Sequence, residues 1–323
     1  MKGLVISASR NIFMVKPDVP QPGKKGVETV KTNVTCRIKG KVLKGVEPYD
    51  KPLAPGDRVS FDQEPGHQGF IRELKTRRNL FSRFNRQSQS SQLLAANVDL
   101  ALCVTTPVSP PFRPRFLDRI LMQADSVGIP LVIVCNKQDL YRGEGTDIDI
   151  EERLQDWSRI GYPVLRVSAR TGEGMDELRS HIAHRFSVLL GQSGVGKSSL
   201  IKALVPDLAI RVGSLNEKYD RGNHTTTMSV LLEIPRLGEG TGIIDTPGMR
   251  RFVPDRIEAA EVLFYMREFA PLAGKCTYGL SCSHRTEPGC KILEAVSSGV
   301  IHEDRYESFL RIQDELSGML KIR

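Results

Sequence analysis

The chain has 323 residues, of which 40% are hydrophobic and 26% charged, so it is long enough for two or three domains of a soluble globular protein. It has no apolar run near the roughly 18 residues of a membrane span and its start lacks the apolar core of a signal peptide, so we expect a cytosolic protein without a membrane partner. The net charge of +8 is uneven, because residues 1–92 hold 18 Lys/Arg and 8 Asp/Glu. This excess indicates a polyanionic partner, although a solvated charged face would also account for it.

The first 75 residues are predicted to form short strands interrupted by Gly and Pro. Val34, Cys36 and Ile38 alternate with polar residues, which is typical of a strand with one buried face. Several such strands in a small basic module favour a barrel, and we predict an RNA-binding OB-fold over 1–75. The segment 17–26, rich in Pro, Gly and Lys, is predicted to be a loop.

After a polar linker predicted over 76–94, the pattern changes to alternating strands and helices over 95–253. Strands are expected at 98–105, 131–135, 164–167, 187–190 and 242–244, and helices at 116–127, 150–160 and 199–204. This alternation implies a mostly parallel sheet with helices on both faces. A third, mainly helical domain is predicted over 254–323, with helices at 257–269 and 303–320.

A Gly-rich sequence of the form G-x-x-x-x-G-K-S lies between a predicted strand and a predicted helix, the context that a phosphate loop requires. Its glycines let backbone N–H groups surround a β-phosphate at the positive end of a helix dipole. We expect Lys197 to neutralise the β- and γ-phosphates during catalysis and Ser198 to bind Mg²⁺. A chance match in a Gly-rich turn is the alternative. The expected phosphate-binding residues are Gly191, Gln192, Ser193, Gly194, Val195, Gly196, Lys197, Ser198 and Ser199.

A DTPG sequence follows a later predicted strand and is typical of a γ-phosphate sensor. Asp245 is expected to hold Mg²⁺ through a bound water, and the N–H of Gly248 to contact the γ-phosphate. Between the phosphate loop and this sensor, Thr226 lies in a run of three threonines. A threonine here is expected to reach Mg²⁺ and complete the catalytic site, although the run would also fit an edge strand.

Met249 follows the sensor glycine, where a Ras-like GTPase has the glutamine that orients the attacking water. Methionine cannot do this, so we predict slow intrinsic hydrolysis. His224, or a group from a partner, is the candidate substitute. A histidine in a loop is also common as a surface residue without a catalytic role.

An NKxD sequence that begins at Asn136 precedes the phosphate loop, the reverse of the usual order. Asp139 is suited to accept from the N1–H and amino groups of guanine, which adenine lacks, while Lys137 stacks on the ring and Asn136 ties this loop to the phosphate loop. Ser168 and Ala169 begin the expected second base-binding loop. The motifs therefore predict a circularly permuted domain that binds GTP and GDP, and an adenine-specific site is the weaker alternative.

Three cysteines and a histidine cluster near the C-terminal end as C-x5-C-x-H-x5-C. They are Cys276, Cys282, His284 and Cys290. Four soft ligands at this spacing predict one structural tetrahedral Zn²⁺ per chain, although Fe²⁺ occupies similar sites and chance clustering is the alternative. The scattered cysteines, expected to be buried small hydrophobes, are Cys36, Cys103 and Cys135.

Together and in this order, the motifs resemble the ribosome small-subunit-dependent GTPase A family. The matching segments are AANVD at 95–99, GQSGVGKSSL at 191–200, HTTT at 224–227, DTPG at 245–248 and the C-x-H-x-x-E-P-x-C that ends at Cys290. The resemblance implies an N-terminal OB-fold, a permuted GTPase domain and a C-terminal zinc domain. It also implies a GTPase that binds the small ribosomal subunit and its rRNA, acts late in subunit maturation and is stimulated by it.

The chain departs from the family pattern at two motifs. Five residues separate Cys276 from Cys282 where the family more often has four, and Asn223 stands where an arginine is usual. The resemblance implies that His224 helps to position water. Two other functions stay open, a permuted GTPase of another ribosomal or RNA pathway and a GTP-binding RNA scaffold with little turnover. We take a monomer as the default state.

Overall fold

The computed structural model describes residues 1–9, 11–18, 33–39, 49, 51–141, 150–206 and 228–318. Most of the predicted loop at 17–26 and the whole segment 207–227 lie outside these ranges. Within them, no helix is long and apolar enough to cross a membrane.

The N-terminal strands form a small closed barrel, as predicted. The strands are β1 (Lys2–Ser9), β2 (Ile12–Pro17), β3 (Val34–Ile38), β4 (Arg58–Glu64) and β5 (Gln68–Leu74). Their order is β1-β2-β3-β5-β4, β3 runs parallel to β5, and β4 pairs back with β1 to close the barrel, which confirms the OB-fold. Cys36, Phe61 and Ile71 are fully buried in its interior, since alternate residues of each strand face inward.

The polar segment predicted as a linker contains an antiparallel hairpin of β6 (Leu80–Asn85) and β7 (Ser90–Ala96). Phe81 and Leu94 are buried in the main core, so one face of the hairpin is apolar although the sequence is rich in Arg, Ser and Gln. Ser82 and Ser91 each donate a hydroxyl hydrogen bond of 2.6 Å to buried Asp255. These tertiary contacts give the segment a structure that its composition does not indicate.

The central region is a sheet in the order β10-β9-β8-β11-β13-β12. Its strands are β8 (Leu100–Thr105), β9 (Leu131–Cys135), β10 (Val164–Arg166), β11 (Phe186–Gly191), β12 (Val230–Glu233) and β13 (Gly242–Asp245), and its helices are α1 (Pro114–Ser126), α2 (Ile150–Arg159), α3 (Met175–Ile182) and α4 (Lys197–Leu204). All strand pairs are parallel except that of β12 with β13. Separate apolar cores pack on the two faces, which confirms the predicted α/β domain. Ser7 of the barrel pairs with Val230 and joins barrel to sheet.

The C-terminal region packs two α-helices, α5 (Lys291–Ser297) and α6 (Glu303–Leu316), around a separate apolar core. The helix predicted over 257–269 is instead a 3₁₀-helix over Ala259–Tyr265, and its first turn is closed by a capping box between Glu258 and Glu261. Tertiary packing overrides local helix propensity here, because this short segment buries Val262 and Leu263 in the C-terminal core.

A buried polar network joins this region to the central domain. The Asp118 carboxylate on α1 accepts hydrogen bonds from Arg305 at 2.8 Å, Trp157 at 3.0 Å and Ser308 at 2.5 Å. Burial raises the pKa of Asp118, but the charges of Arg305 and Arg153 outweigh this effect and hold it below its usual range. Asp118 therefore stays ionised and links α1, α2 and α6.

Candidate nucleotide and metal sites

The carboxyl ends of neighbouring parallel strands bring the predicted nucleotide motifs together, as they do at the ligand crevice of open α/β sheets. The phosphate loop follows β11 and leads into α4 through Gly196, the residue before the helix, whose φ is +94°. A Cβ at Gly196 would lie 2.3 Å from Nδ2 of Asn136 in the base-recognition loop. Only glycine therefore fits where the two loops meet.

Lys197 lies inside the phosphate loop. Its side chain is 7% exposed, and its ammonium donates hydrogen bonds to the carbonyls of Gly191 at 3.0 Å and Gln192 at 2.9 Å. Burial lowers the pKa of Lys197 to about 8. The negative charge of Asp245 raises this pKa but offsets only part of the effect of burial. A phosphate oxygen bound here would meet a concentrated positive charge, while Ser193, Ser198 and Ser199 remain exposed at the mouth of the loop.

The sensor segment packs directly on the phosphate loop. Asp245 ends β13 and is fully buried, beside the strand that leads into the phosphate loop. A Cβ at Gly248 would lie 2.8 Å from Cα of Ser193, so its backbone approaches as closely as glycine allows. Met249 is 2% exposed and packs in the core, while its backbone N–H donates to Gly191 at 3.2 Å. The Met249 side chain therefore does not face the phosphate loop opening.

The base-recognition loop is held by polar contacts on both sides. Asn136 Nδ2 donates to the Val195 carbonyl at 3.0 Å, and its Oδ1 accepts from the Ala169 N–H at 3.1 Å. Lys137 donates to the Gly194 carbonyl at 2.7 Å. One asparagine thus ties both predicted base-binding loops to the phosphate loop.

Asp139 points toward the second base-binding loop. Ser168 Oγ donates to its Oδ1 at 2.6 Å, and the Arg170 guanidinium lies 3.5 Å from its Oδ2. The carboxylate is held in one orientation and accepts hydrogen bonds only, which suits the paired N–H donors of a guanine edge. His224 and Thr226, the other predicted catalytic residues, lie outside the described residues, as does Asn223.

The predicted metal ligands converge in the C-terminal core. The ligand atoms of Cys276, Cys282, His284 and Cys290 all lie within 4.8 Å of one another, and all four side chains are buried. His284 Nδ1 is 3.6 Å from Cys276 Sγ and 3.4 Å from Cys290 Sγ. Ligands of a tetrahedral zinc with Zn–S bonds of about 2.3 Å are roughly 3.7 Å apart, so this donor set fits such an ion.

Two features of the surroundings bear on metal binding. Burial raises the pKa of the Cys282 thiol to about 12 and lowers that of His284, so a bound cation would be needed to favour the thiolate that ligates it. A 3₁₀ turn over Gly279–Ser281 takes up the longer spacing between the first two cysteines. The Tyr306 hydroxyl donates to the His284 carbonyl at 2.7 Å and anchors the ligand loop to α6.

The other cysteines are buried away from this cluster. Cys36 lies in the barrel, and Cys103 and Cys135 lie in β8 and β9. Burial raises the pKa of the Cys36 thiol to about 12. These residues behave as small hydrophobes, as their apolar sequence contexts predict.

With these sites in place, comparison with known proteins identifies the family. The family model described as RsgA GTPase matches residues 74–253. The chain belongs to the RsgA GTPase family. It is therefore a GTP hydrolase with a circularly permuted nucleotide domain, and the family's reaction uses GTP, GDP and Mg²⁺. The matched segment begins before the hairpin, so the RsgA domain includes the predicted linker.

Curated relatives in the RsgA family cover nearly the whole chain. "Small ribosomal subunit biogenesis GTPase RsgA" of Bacteroides fragilis is 37% identical over 317 residues, 98% of this chain and 97% of the relative. The protein of the same name from Chlorobaculum parvum is 38% identical and covers 82% of this chain and 85% of its own length.

Solved structures agree with the sequence relatives. YjeQ from Thermotoga maritima superposes with a TM-score of 0.69 at 30% identity and covers 98% of both chains. YloQ, described as a circularly permuted GTPase, gives a TM-score of 0.66 at 25% identity and covers 100% of this chain and 96% of its own. The RsgA architecture therefore extends over the barrel, the permuted domain and the C-terminal region.

The sequence motifs did not reveal Asp118 or the contacts that position Asp139. Asp118 lies on the buried face of an amphipathic helix, one turn from Pro114, Leu121 and Met122, and this placement is the sequence signal of its burial. The hydroxyl bond from Ser168 depends on two loops that are 29 residues apart in sequence.

Proposed function

We propose that this RsgA GTPase binds the small ribosomal subunit through its rRNA, assists late steps of the subunit's maturation, and hydrolyses GTP with stimulation by the subunit. The observation that carries the proposal is that a relative named for small-subunit biogenesis aligns with nearly the whole of this chain. The contact between the base-recognition and phosphate loops is consistent with a nucleotide site in the same chain. Assembly of ribosomal subunits would place the protein in the cytoplasm. We take the active species to be a monomer.

The geometry of the described residues supports a set of roles within the nucleotide site. Asp139 and Ser168 would recognise guanine, Asn136 would hold the base and phosphate loops together, and Lys197 would neutralise the phosphates. Ser198 and Asp245 would hold Mg²⁺, with Thr226 completing the set from the segment that the structure does not describe. Mg²⁺ supplies further neutralisation of the charge that develops on the transferred phosphoryl group.

Water orientation requires a group other than Met249, because its side chain is buried in the core. We therefore expect slow hydrolysis by the free protein, with His224 or a group from the ribosomal subunit as the orienting element. Such an arrangement would make turnover depend on the partner.

The flanking regions would provide the contacts with the subunit. The basic barrel, over 1–75, would supply phosphate-directed and salt-dependent affinity for rRNA. The C-terminal domain, over 254–323, would fold around one Zn²⁺ held by Cys276, Cys282, His284 and Cys290. Between the barrel and the GTPase domain at 95–253, the segment 76–94, which holds most of the hairpin over 80–96, would act as a packed connection.

The test is GTP hydrolysis by the purified protein alone, with purified small subunits and with purified large subunits. We expect a low rate alone and strong stimulation by small subunits only. A Lys197→Ala variant controls for contaminating GTPases and should show no stimulated turnover. Stimulation by large subunits would favour a GTPase of another ribosomal pathway, and no stimulation by either would favour a GTP-binding RNA scaffold.

A further inference from the structure

A basic cavity of about 610 Å³ lies between the GTPase domain and α6. Its walls are the start of α1, the segment after the γ-phosphate sensor, Gln192 of the phosphate loop, and α6. Six arginines and two acidic residues line it. The arginines are Arg113, Arg115, Arg119, Arg250, Arg251 and Arg311.

Two of these arginines carry uncompensated charge. Arg115 pairs with Asp304 at 3.1 Å and Arg119 pairs with Glu315, so α6 neutralises part of the wall. Arg113 and Arg250 are exposed, and neither pairs with a carboxylate among the described residues. The cavity therefore has a surplus of positive charge at its surface.

The uncharged groups of the cavity also favour an anion. Helix α1 begins at Pro114 with no acidic residue in its first turn and no side-chain cap, so its positive dipole end lies at the wall. Pro114 has no N–H, and Phe116 and Leu117 donate to the Arg113 carbonyl, which leaves the N–H of Arg115 as the donor of this turn. Gln192 is 7% exposed and lines the cavity. Its carboxamide offers N–H donors to a polar ligand there. Phe112 and Phe252 form apolar walls that strengthen electrostatic attraction.

We infer that this cavity binds a backbone phosphate of the small-subunit RNA, held by Arg113 and Arg250. The inference rests on the proposed function and specifies where RNA reaches the switch region. RNA is favoured over an acidic protein because two guanidinium groups, the positive end of α1 with the Arg115 N–H, and an amide donor match the several acceptor oxygens of a phosphodiester.

Such a contact would bear directly on the nucleotide site. Arg250 is separated from the sensor Gly248 by Met249 alone, and Met249 donates its backbone N–H to Gly191 of the phosphate loop. A phosphate held by Arg250 and close to Gln192 would fix the sensor segment against the phosphate loop. RNA docking would thereby order the segment that contacts the γ-phosphate.

The test is an Arg113→Gln/Arg250→Gln double variant with Arg236→Gln as a matched control. All three arginines are exposed and have no ion pair among the described residues, so none of the substitutions removes a stabilising contact. Arg236 lies in the same domain but does not line the cavity. The dissociation constant for purified small subunits is measured from about 50 to 200 mM salt, together with GTP hydrolysis with and without subunits.

We expect the double variant to bind small subunits about tenfold more weakly. The slope of log affinity against log salt concentration should fall in magnitude by about one for each phosphate contact that is lost. Its stimulated hydrolysis should fall while its hydrolysis without subunits stays unchanged, and Arg236→Gln should match the wild type. Binding of protein-free small-subunit rRNA should weaken in the same way.

Unchanged affinity, salt slope and stimulation in the double variant would overturn the inference and leave the proposed function intact. Weaker binding to whole subunits but not to protein-free rRNA would also overturn it, in favour of an acidic ribosomal protein. A wild-type protein that neither binds small subunits nor responds to them would overturn the proposed function itself.

Discussion

Asn136 donates a hydrogen bond of 3.0 Å to the backbone carbonyl of Val195, across 59 residues of sequence. The first residue belongs to the base-recognition loop and the second to the phosphate loop, which follows it in this permuted chain. A single side chain therefore connects the two halves of the nucleotide site. The permutation changes the order of the loops along the chain, but it leaves them adjacent at the carboxyl edge of one sheet.

Asn136→Ala should weaken binding of both GTP and GDP. The change removes the hydrogen bonds to Val195 and Ala169, each worth about 1 kcal/mol, so we expect about 30-fold weaker affinity. Titration of a fluorescent GDP analogue measures the effect, with Asn85→Ala in the hairpin as a control. Unchanged affinity would show that the two loops keep their positions without this link.

Asp139→Asn should change which base is bound. The amide presents a donor to the N–H groups of guanine, so GTP affinity should fall about 100-fold while the weak affinity for ATP stays the same. Xanthosine triphosphate, which has a carbonyl in place of the amino group, should bind the variant better than the wild type. Competition binding with the three nucleotides measures this preference.

Ser168→Ala is the matched comparison for the Asp139→Asn variant. It removes the hydroxyl that orients the carboxylate but leaves the carboxylate in place. GTP affinity should then fall about 5- to 10-fold without a change in base preference. Equal effects of the two substitutions would contradict direct recognition of guanine by Asp139.

Cys290→Ser should remove the metal and destabilise the C-terminal region. Cys290 supplies a buried sulfur at the start of α5, and binding of a structural zinc contributes directly to folding. We expect the metal content to fall from one ion per chain to nearly none and Tm to fall by about 10 °C. Cys36→Ser, in the barrel, should keep its metal, and a chelator should reproduce the loss in the wild type.

Asp118→Asn should lower the free energy of unfolding by about 3 kcal/mol at neutral pH. The substitution removes a carboxylate charge that pairs with the buried guanidinium of Arg305. The folded pKa of Asp118 lies below its unfolded value, so its stabilising contribution is complete above the unfolded pKa and is lost as pH falls through the folded pKa. Urea unfolding should show a constant difference between wild type and variant above about pH 5, and a smaller one below about pH 4. The exposed Asp62→Asn is the control. A difference that is independent of pH down to acid unfolding would contradict an ionised Asp118.

Much of the architecture follows from local patterns in the sequence. The strand at 131–135, the helix that begins near 150 and the position of the phosphate loop between a strand and a helix are where the periodicity and the motif predict them. The hairpin over 80–96 and the 3₁₀-helix over 259–265 are not, because each takes its conformation from residues distant in sequence. The polar composition of the hairpin predicted a linker, although one face of the hairpin is apolar and buried.

The sequence by itself determined the chemistry, since the NKxD, G-x-x-x-x-G-K-S, DTPG and Cys/His motifs each need particular side chains at a local spacing. Tertiary structure alone decided how these groups meet. Ser168 orients Asp139, Asp118 links three helices across the interface with the C-terminal region, and the arginines around Arg250 share one cavity. Each of these relationships joins segments that are far apart along the chain, so it depends on how strands and helices pack and not on any local pattern.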